Sequence, residues 1–249
     1  MLRLLTYLSP SIPREFYELL ARELGAEVQF EETISGPLPG DDEPFGRGAA
    51  DVGFVCSPSL RFINATERVV DLLPLPVPLD PRAGGRPVYF ADVVVRAGSP
   101  IRTFDELRGG RWAYNDRNSK SGWFSMLERI APHQPESYFE AAVPSGSHLQ
   151  SLELVGSGAV DAAAIDSNVL ALHRHLHPEL RVLQSWGPFP IQPAIVRASL
   201  PETEKARIAH ILLTIHERYA GSLARHAREE HITCSVFFVA HVPFLFQDL

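Results

Sequence analysis

Two short segments of this sequence lie immediately before a helical pattern. Both contain serine hydroxyls and a glycine, and one of them also contains a histidine. Residues 145–148 (Ser-Gly-Ser-His) open a segment whose apolar residues recur at helical spacing. Residues 118–122 (Asn-Ser-Lys-Ser-Gly) separate a strand-like run from a helix that we predict to begin near Trp123. The first N–H groups of a helix lack partners within the helix, so they bind anions readily. Two such turns in one domain predict a site for a small anionic ligand.

The side chains of these two turns are the first candidates for a binding site. A ring nitrogen of His148 can donate a hydrogen bond beside the free N–H groups, and the hydroxyls of Ser119, Ser121 and Ser147 add further donors. Each has a structural alternative, because serine often caps a helix with a gain of about 1 kcal/mol and histidine is often a core or capping residue. The two turns taken together favour ligand binding, because two helix starts that converge are typical of anion sites.

Size and composition exclude several classes of protein. At 249 residues and 45% hydrophobic content, the chain can form one large α/β domain or two lobes. Its net charge is −7 and its basic residues are scattered, so nucleic acid is not an expected partner. No apolar run approaches the roughly 20 residues that cross a bilayer, so we do not expect a membrane-spanning protein.

Sequence motifs predict neither a cofactor nor a metal ion. Cys56 and Cys234 do not have metal-type spacing, and we interpret His173, His175 and His177 as a solvated helix end. The first eight residues are too short for the apolar core of a signal peptide, so the sequence as written predicts a cytoplasmic protein. If the start of the chain has been trimmed, we expect a periplasmic or extracellular protein instead.

Strand-like and helix-like segments alternate along the chain, which predicts an α/β fold. The first strand is predicted at residues 2–8, and a helix follows that begins at Pro13 and ends at Gly25. Residues 34–48 are almost all turn formers and predict an exposed loop. In the distal half, strands are predicted at 111–115, around 138–143, 161–165 and 180–185, and helices at about 121–131, 148–156 and 167–176.

These elements predict two lobes joined by two crossings of the chain. Residues 1–90 and 194–249 are assigned to lobe 1, and residues 91–193 to lobe 2. We expect the crossings to act as a hinge over a ligand cleft between the lobes. Asp92 interrupts an apolar strand near the first crossing, where an unpaired charge is costly. It is expected either to face the cleft or to pair with an arginine such as Arg197.

Several motifs of the distal half follow one another in a fixed order. Residues 116–122 read Asp-Arg-Asn-Ser-Lys-Ser-Gly, residues 146–148 read Gly-Ser-His, and a Val-Asp pair follows at 160–161. These motifs, with the segment 93–109, resemble the phosphonate-binding type of solute-binding protein, the family that delivers phosphonates, phosphite or phosphate to ABC transporters. The resemblance extends from residue 51 to about residue 197. It implies a two-lobed type II periplasmic-binding-protein-like fold.

The resemblance also implies roles for the candidate residues. The serines and the histidine at the two helix starts are expected to hold the oxyanion of the ligand. Lys120 stands where the family has threonine, and its charge is expected either to pair with the anion or to point to solvent. Asp166 lies where related proteins bind the other end of the ligand, often an amine, and capping of the next helix is an equal alternative. The candidate ligand-binding residues of lobe 2 are Ser119, Lys120, Ser121, Gly122, Ser147, His148 and Asp166.

Four further candidates lie in lobe 1. Tyr7 ends the first strand and Tyr89 precedes the hinge, and both positions can line a cleft in this fold, with core packing as the alternative. Cys56 and Ser57 follow another predicted strand, at a junction typical of pockets at the carboxyl edge of a parallel sheet. We interpret Cys56 as a small buried residue in preference to a nucleophile.

Three functions from different classes fit these observations. The favoured one is a binding protein without catalysis that closes on a phosphonate, phosphite or phosphate and is sensed by an ABC transporter permease or another protein. The second is a cytosolic enzyme on the same fold, with menaquinone- or thiamin-precursor-type chemistry at Cys56, His148 and Asp166. The third is an intracellular ligand sensor that docks on a protein partner. No catalytic sequence motif supports the enzyme.

Overall fold

The chain divides into two compact units, each with its own five-stranded sheet. Unit 1 is Met1–Val88 with Pro190–Leu249, and unit 2 is Tyr89–Phe189. Strands and helices alternate in both units, which confirms the predicted α/β class. The computed structural model describes residues 1–8, 12–78, 80–229 and 237–239, and Cys234 lies outside them.

The first part of unit 1 is a small parallel α/β arrangement. Its elements are β1 (Leu2–Thr6), α1 (Arg14–Leu24), β2 (Ala26–Phe30), β3 (Val52–Phe54), α2 (Ser57–Ile63), β4 (Val70–Leu72) and β5 (Leu75–Val77). β1 pairs in parallel with β2 on one side and with β3 on the other. α1 follows Pro13 and ends at Gly25, whose φ of 66° permits the left-handed cap, so both predicted ends are confirmed. Between β2 and β3, the predicted loop over 34–48 contains neither helix nor strand.

The largest difference from the sequence prediction in this unit follows β3. The segment from Ser57 was expected to be a loop junction, but it begins α2. Pro58 lies in the first turn of that helix, where its missing N–H costs nothing and its fixed φ favours the helical conformation. Only a junction after the strand was predicted here, so the helix was missed. The sequence analysis also missed β4 and β5, which are only three residues long.

Unit 2 contains the elements that position the predicted anion site. They are β6 (Val88–Arg96), β7 (Arg111–Tyr114), α3 (Ser125–Ile130), α4 (Pro135–Tyr138), β8 (Ala141–Pro144), α5 (His148–Gly156), β9 (Ala162–Asp166), α6 (Ser167–His173) and β10 (Leu180–Pro190). A π-helical turn, Lys120–Phe124, leads directly into α3. The order across the sheet is β10-β6-β9-β7-β8, with β7 parallel to both β8 and β9. The carboxyl ends of these three strands therefore lie at the same edge.

Aromatic residues hold one face of this sheet in place. Trp112 of β7 is fully buried, and its ring stacks on Phe139 at 5.4 Å and on Trp186 of β10 at 6.1 Å between centroids. Phe104 packs edge-on against both tryptophans. Large aromatic side chains dominate the free energy of burial in such a core, so β7 and the turn that follows it start from a rigid base.

The chain then returns to unit 1. The elements are β11 (Ala194–Arg197), α7 (Glu202–Glu229) and β12 (Phe237–Val239). β11 pairs antiparallel with β3 and with β4, and β12 pairs with β5. Ile208, Leu212 and Ile215 recur at helical spacing on α7 and are buried. Within the described part of the chain, no helix has both the length and the apolar character that crossing a membrane requires.

A buried ion pair joins two strands of unit 1. Asp51, just before β3, accepts hydrogen bonds from Arg197 at 2.7 and 3.1 Å and from the Arg3 backbone N–H at 2.9 Å. Burial alone would raise the pKa of Asp51, but these hydrogen bonds outweigh it and hold the pKa below its usual value. Asp92 instead accepts from the Ser185 hydroxyl at 2.6 Å. β10 therefore gives Asp92 a partner within unit 2, and β11 gives Arg197 its counter-charge within unit 1.

We expect Asp51→Asn to lower the free energy of unfolding by about 2 kcal/mol, because it leaves Arg197 without its buried counter-charge. Urea unfolding at pH 7 measures this. The effect should shrink as the pH falls below about 4, where Asp51 of the unfolded chain becomes protonated, and it should vanish below the lowered pKa of Asp51 in the folded protein. Asp42→Asn is the control, since it removes an ion pair to Arg47 whose two side chains are mostly exposed, and it should change stability by less than about 0.5 kcal/mol. Equal effects of the two variants would contradict the role given to Asp51.

Candidate ligand-binding site

Three helix starts meet at the carboxyl edge of the unit 2 sheet. Ser119 follows β7, Ser147 follows β8, and Asp166 ends β9. Each side chain accepts a hydrogen bond from a backbone N–H of its own helix: Ser119 at 3.1 Å, Ser147 at 3.1 Å and Asp166 at 2.8 Å. All three are thus helix caps in this structure, as the alternative interpretation of these residues expected. Capping leaves the other N–H groups of each first turn directed at the same edge.

A direct hydrogen bond joins the two turns that the sequence analysis singled out. The Ser121 hydroxyl and Nε2 of His148 are 3.1 Å apart, and the Ser119 and Ser121 hydroxyls are 3.5 Å apart. The backbone fixes the same geometry, because the Gly146 N–H donates to the Asn115 carbonyl at 2.9 Å. Residues from positions 119–121 and 147–148, far apart in sequence, therefore form one polar cluster.

His148 carries no charge at neutral pH. Its side chain is buried, and this burial lowers its pKa to about 4. Among the described residues, Nδ1 of His148 has no hydrogen-bond partner, although it is shielded from water. A neutral imidazole has one N–H donor and one acceptor nitrogen, and the Ser121 hydroxyl can adapt to either. The pair can therefore present at least one hydrogen to an incoming oxyanion.

The loop before Ser119 stabilises itself through polar residues that the sequence analysis did not select. Asp116 accepts from the Asn118 backbone N–H at 2.8 Å and from the side-chain amide of Asn115 at 2.7 Å. A Cβ atom on Gly122 would lie 1.9 Å from Oδ1 of Asn115, so the helix start approaches this loop too closely for any side chain. Asn115, Asp116 and Asn118 thus position the candidate residues. The Asp-x-Asn part of the matched motif was the signal that could have identified two of them.

Lys120 is buried, although one of the two alternatives predicted for it was that its side chain points to solvent. Only 8% of the residue is exposed, and its ammonium group forms an ion pair with Glu128 of α3. The ammonium also lies 4.7 Å above the ring of Phe189, a residue near the end of β10. The expectation that Lys120 points to solvent is therefore wrong, because the ring and the carboxylate together compensate its charge.

The other candidates are placed in both units. Tyr89 is fully buried in unit 2, with its ring 6.0 Å from that of Phe189. Tyr7, Cys56 and Ser57 are buried in unit 1. Cys56 immediately precedes α2, and its backbone N–H donates to the Ser35 carbonyl at 2.8 Å. Burial, reinforced by the negative charges of Glu31, Asp42 and Glu43, raises the pKa of Tyr7.

With this geometry established, comparison with known proteins gives the family. A family model described as "ABC transporter, phosphonate, periplasmic substrate-binding protein" matches residues 12–231. The chain belongs to this family. No curated protein sequence matches it. The family is one of transporter substrate-binding proteins, in line with the expectation of a binding protein in preference to an enzyme.

Solved structures show that this phosphonate-family chain has the fold expected from its motifs. PhnD1 from Prochlorococcus marinus, in complex with methylphosphonate, has a TM-score of 0.72 at 16% identity and covers 99% of this chain and 94% of its own. A binding-protein component of an ABC phosphonate transporter from Pseudomonas aeruginosa has a TM-score of 0.69 at 15% identity, covering 95% and 80%. XAC2383 from Xanthomonas citri, bound to ATP, has a TM-score of 0.65 at 19% identity, covering 99% and 94%. The predicted periplasmic-binding-protein fold is confirmed.

We expect the free energy of unfolding of this family member to fall between pH 6.5 and pH 4, by up to about 3 kcal/mol from His148 alone. In the unfolded chain this histidine takes up a proton near its usual pKa of 6.5, whereas in the folded protein it stays neutral down to about pH 4. The neutral, buried form of His148 therefore costs no stability above pH 6.5. Below that pH the unfolded chain gains a proton that the folded protein does not, so the free energy of unfolding falls. Chemical unfolding at a series of pH values measures the slope for the wild type and for His148→Gln.

The His148→Gln variant should lose this component of the slope. His210→Gln, at an exposed position of α7, is the control and should keep the wild-type slope. Identical slopes for the wild type and His148→Gln would show that the buried imidazole does not contribute.

We expect Gly122→Ala to destabilise the protein by about 2 kcal/mol, because the new methyl group must displace the buried Asn115 amide and the loop around it. Gly98→Ala is the matched control, since a Cβ at Gly98 meets no atom within 4 Å. Thermal unfolding of the two variants and the wild type measures the difference. An unchanged melting temperature for Gly122→Ala would contradict the close approach of the helix start to its preceding loop.

Proposed function

We propose that this chain is a solute-binding protein that holds a small phosphorus oxyanion, a phosphonate, phosphite or phosphate, at the helix starts of unit 2. The observation that carries this proposal is the hydrogen bond of 3.1 Å between Ser121 and His148. It brings hydroxyl, imidazole and two helix N-termini into one cluster, and such a cluster can surround an oxyanion with donors. The candidate anion ligands are Ser119, Ser121, Ser147 and His148, with the backbone N–H groups around Gly122.

The energetics of such a site are sufficient for tight binding. A well-aligned hydrogen bond to a charged group contributes about 1.5 to 3 kcal/mol net. Four of them amount to about 6 to 12 kcal/mol, and a dissociation constant of 1 μM requires about 8 kcal/mol. All four side-chain donors are neutral at pH 7, so none of them has to exchange a proton when the anion binds.

The comparisons support phosphorus as the central atom of the ligand. One structural neighbour is described in complex with methylphosphonate and another as bound to ATP, and both ligands carry a phosphorus oxyanion. The family description names phosphonate as well. Identities below 20% do not transfer a ligand by themselves, so the proposal for this chain depends on the matched positions 116–122 and 146–148.

The proposed partner follows from the family. A substrate-binding protein of an ABC transporter presents its ligand to a membrane permease, and we propose that role and a periplasmic location for this chain. We do not propose the enzyme alternative. Its nucleophile would be Cys56, which is only 3% exposed.

A thermal-shift experiment tests the proposal. Phosphate, phosphite, methylphosphonate, aminoethylphosphonate, sulfate and acetate are each added to the wild-type protein. A ligand present at about 100 times its dissociation constant adds about 2.7 kcal/mol to the free energy of unfolding. We expect a clear rise in melting temperature for at least one phosphorus oxyanion and none for acetate.

Substitutions locate the site. His148→Ala and Ser121→Ala each remove a donor of the cluster, so we expect the ligand-dependent rise to fall below detection in both. His210→Ala and Ser157→Ala replace the same residue types at exposed positions and should keep the full rise. If both site variants respond to the ligand like the wild type, the anion does not bind at this cluster. If no phosphorus oxyanion shifts the wild type, the proposed function is wrong.

A further inference from the structure

Lys120 is one of only two lysines in the chain, and both are buried. Lys205 in unit 1 pairs with Asp71 and with Glu202, each at 2.7 Å. Glu202 is 85% exposed, but Asp71 is only 14% exposed, so Lys205 has one counter-charge that is itself shielded from water. The carboxylate that pairs with Lys120, in contrast, belongs to Glu128, whose side chain is 60% exposed. The two lysines are equally shielded from water but differ in the exposure of their partners.

Lys120 opens the π-helical turn that carries two of the candidate anion donors. Its backbone lies between Ser119 and Ser121, both of which belong to the polar cluster with His148. Its ammonium group lies 4.7 Å above the ring of Phe189. The positive charge thus lies on an aromatic surface and belongs to a residue flanked by two serines of the cluster, at a position where the resembled family pattern has an uncharged threonine.

The energetics of this arrangement favour replacement of the Glu128 carboxylate at Lys120 by another anion. A buried ammonium group has lost much of its hydration, and an aromatic ring compensates only part of that loss. Lys120 therefore requires an anionic partner. Glu128 does not require Lys120 to the same extent, because an exposed carboxylate regains water at little cost. A second negative group on a bound ligand can replace Glu128 at the ammonium.

We propose, building on the proposed function, that Lys120 is a specificity-determining residue that favours phosphonates carrying a second anionic group. The phosphonate is held at the Ser121–His148 cluster, and the second group takes the place of Glu128 on Lys120. Two acidic residues, Asp116 and Asp166, lie at the same edge, but their repulsion of a doubly anionic ligand is reduced. Asp116 and Asp166 both accept hydrogen bonds from backbone N–H groups, at 2.8 Å each, and these bonds offset part of their charge.

Two ligands that differ by one carboxylate test this inference. Isothermal titration calorimetry is used to measure methylphosphonate and phosphonoacetate against the wild type, Lys120→Met, Glu128→Gln and Lys205→Met. We expect the wild type to bind phosphonoacetate about tenfold more tightly than methylphosphonate, an effect of the size that one partly desolvated ion pair supports. In Lys120→Met the two affinities should become equal. In Glu128→Gln the preference should grow, because the competing carboxylate is gone.

The controls separate this inference from the proposed function. Lys205→Met removes an equally buried lysine and should leave the ratio of the two affinities unchanged, and Lys120→Arg should retain a preference for phosphonoacetate. A wild-type ratio of one or less overturns the inference, and so does a ratio that survives in Lys120→Met. In both cases binding of methylphosphonate that still depends on Ser121 and His148 leaves the proposed function standing. If neither ligand binds to the wild type, the inference falls, and the proposed function is then decided by the thermal shifts with phosphite and phosphate.

Discussion

The N-terminus of a helix has N–H groups that the helix itself cannot satisfy, and most of unit 2 is arranged around this constraint. β7, β8 and β9 run parallel, so the helices that follow them begin at one edge of the sheet. Each start has a cap, and the caps satisfy only one donor each. The remaining donors, the Ser121 hydroxyl and the imidazole of His148 then converge without any need for a loop to move.

The charge state of this edge follows from burial. His148 is shielded from water and therefore neutral, and Lys120 is shielded as well but keeps a carboxylate and an aromatic ring beside it. The edge thus combines uncharged donors with one compensated cation. At the two starts that carry Ser119 and Ser147 the cap is a hydroxyl and not a carboxylate, and the hydrogen bonds that an anion receives there are strengthened by the low dielectric of the surroundings.

Local patterns were sufficient to predict much of the fold. The bounds of α5 and the ends of α1 follow from helical spacing, a serine cap and a terminal glycine, which are all short-range signals. The strand expected around 138–143 begins later, at Ala141, because the capping-box turn at Gln134 makes Pro135–Tyr138 a helix. β4 and β5 are too short to show a period, and their pairing depends on strands that lie far away in sequence.

The candidate site could be predicted in its residues but not in its contacts. Ser121 and His148 were selected because each lies at a helix start, yet nothing local indicates that they share a hydrogen bond across 27 positions. The same holds for Lys120, whose partners are Glu128, about two helical turns further along the chain, and Phe189, the last residue of unit 2. Partners of this kind are fixed by the sheet order, which single-sequence patterns do not encode.

The place of β11 in the first sheet has a consequence for biosynthesis. β11 lies between β3 and β4, but the ribosome makes it only after the whole of Tyr89–Phe189. Until residue 197 has emerged, β4 has no neighbour in that sheet, whereas every strand of the second sheet is already available. Unit 2 can therefore fold cotranslationally before unit 1, whose sheet is complete only when β11 has been made.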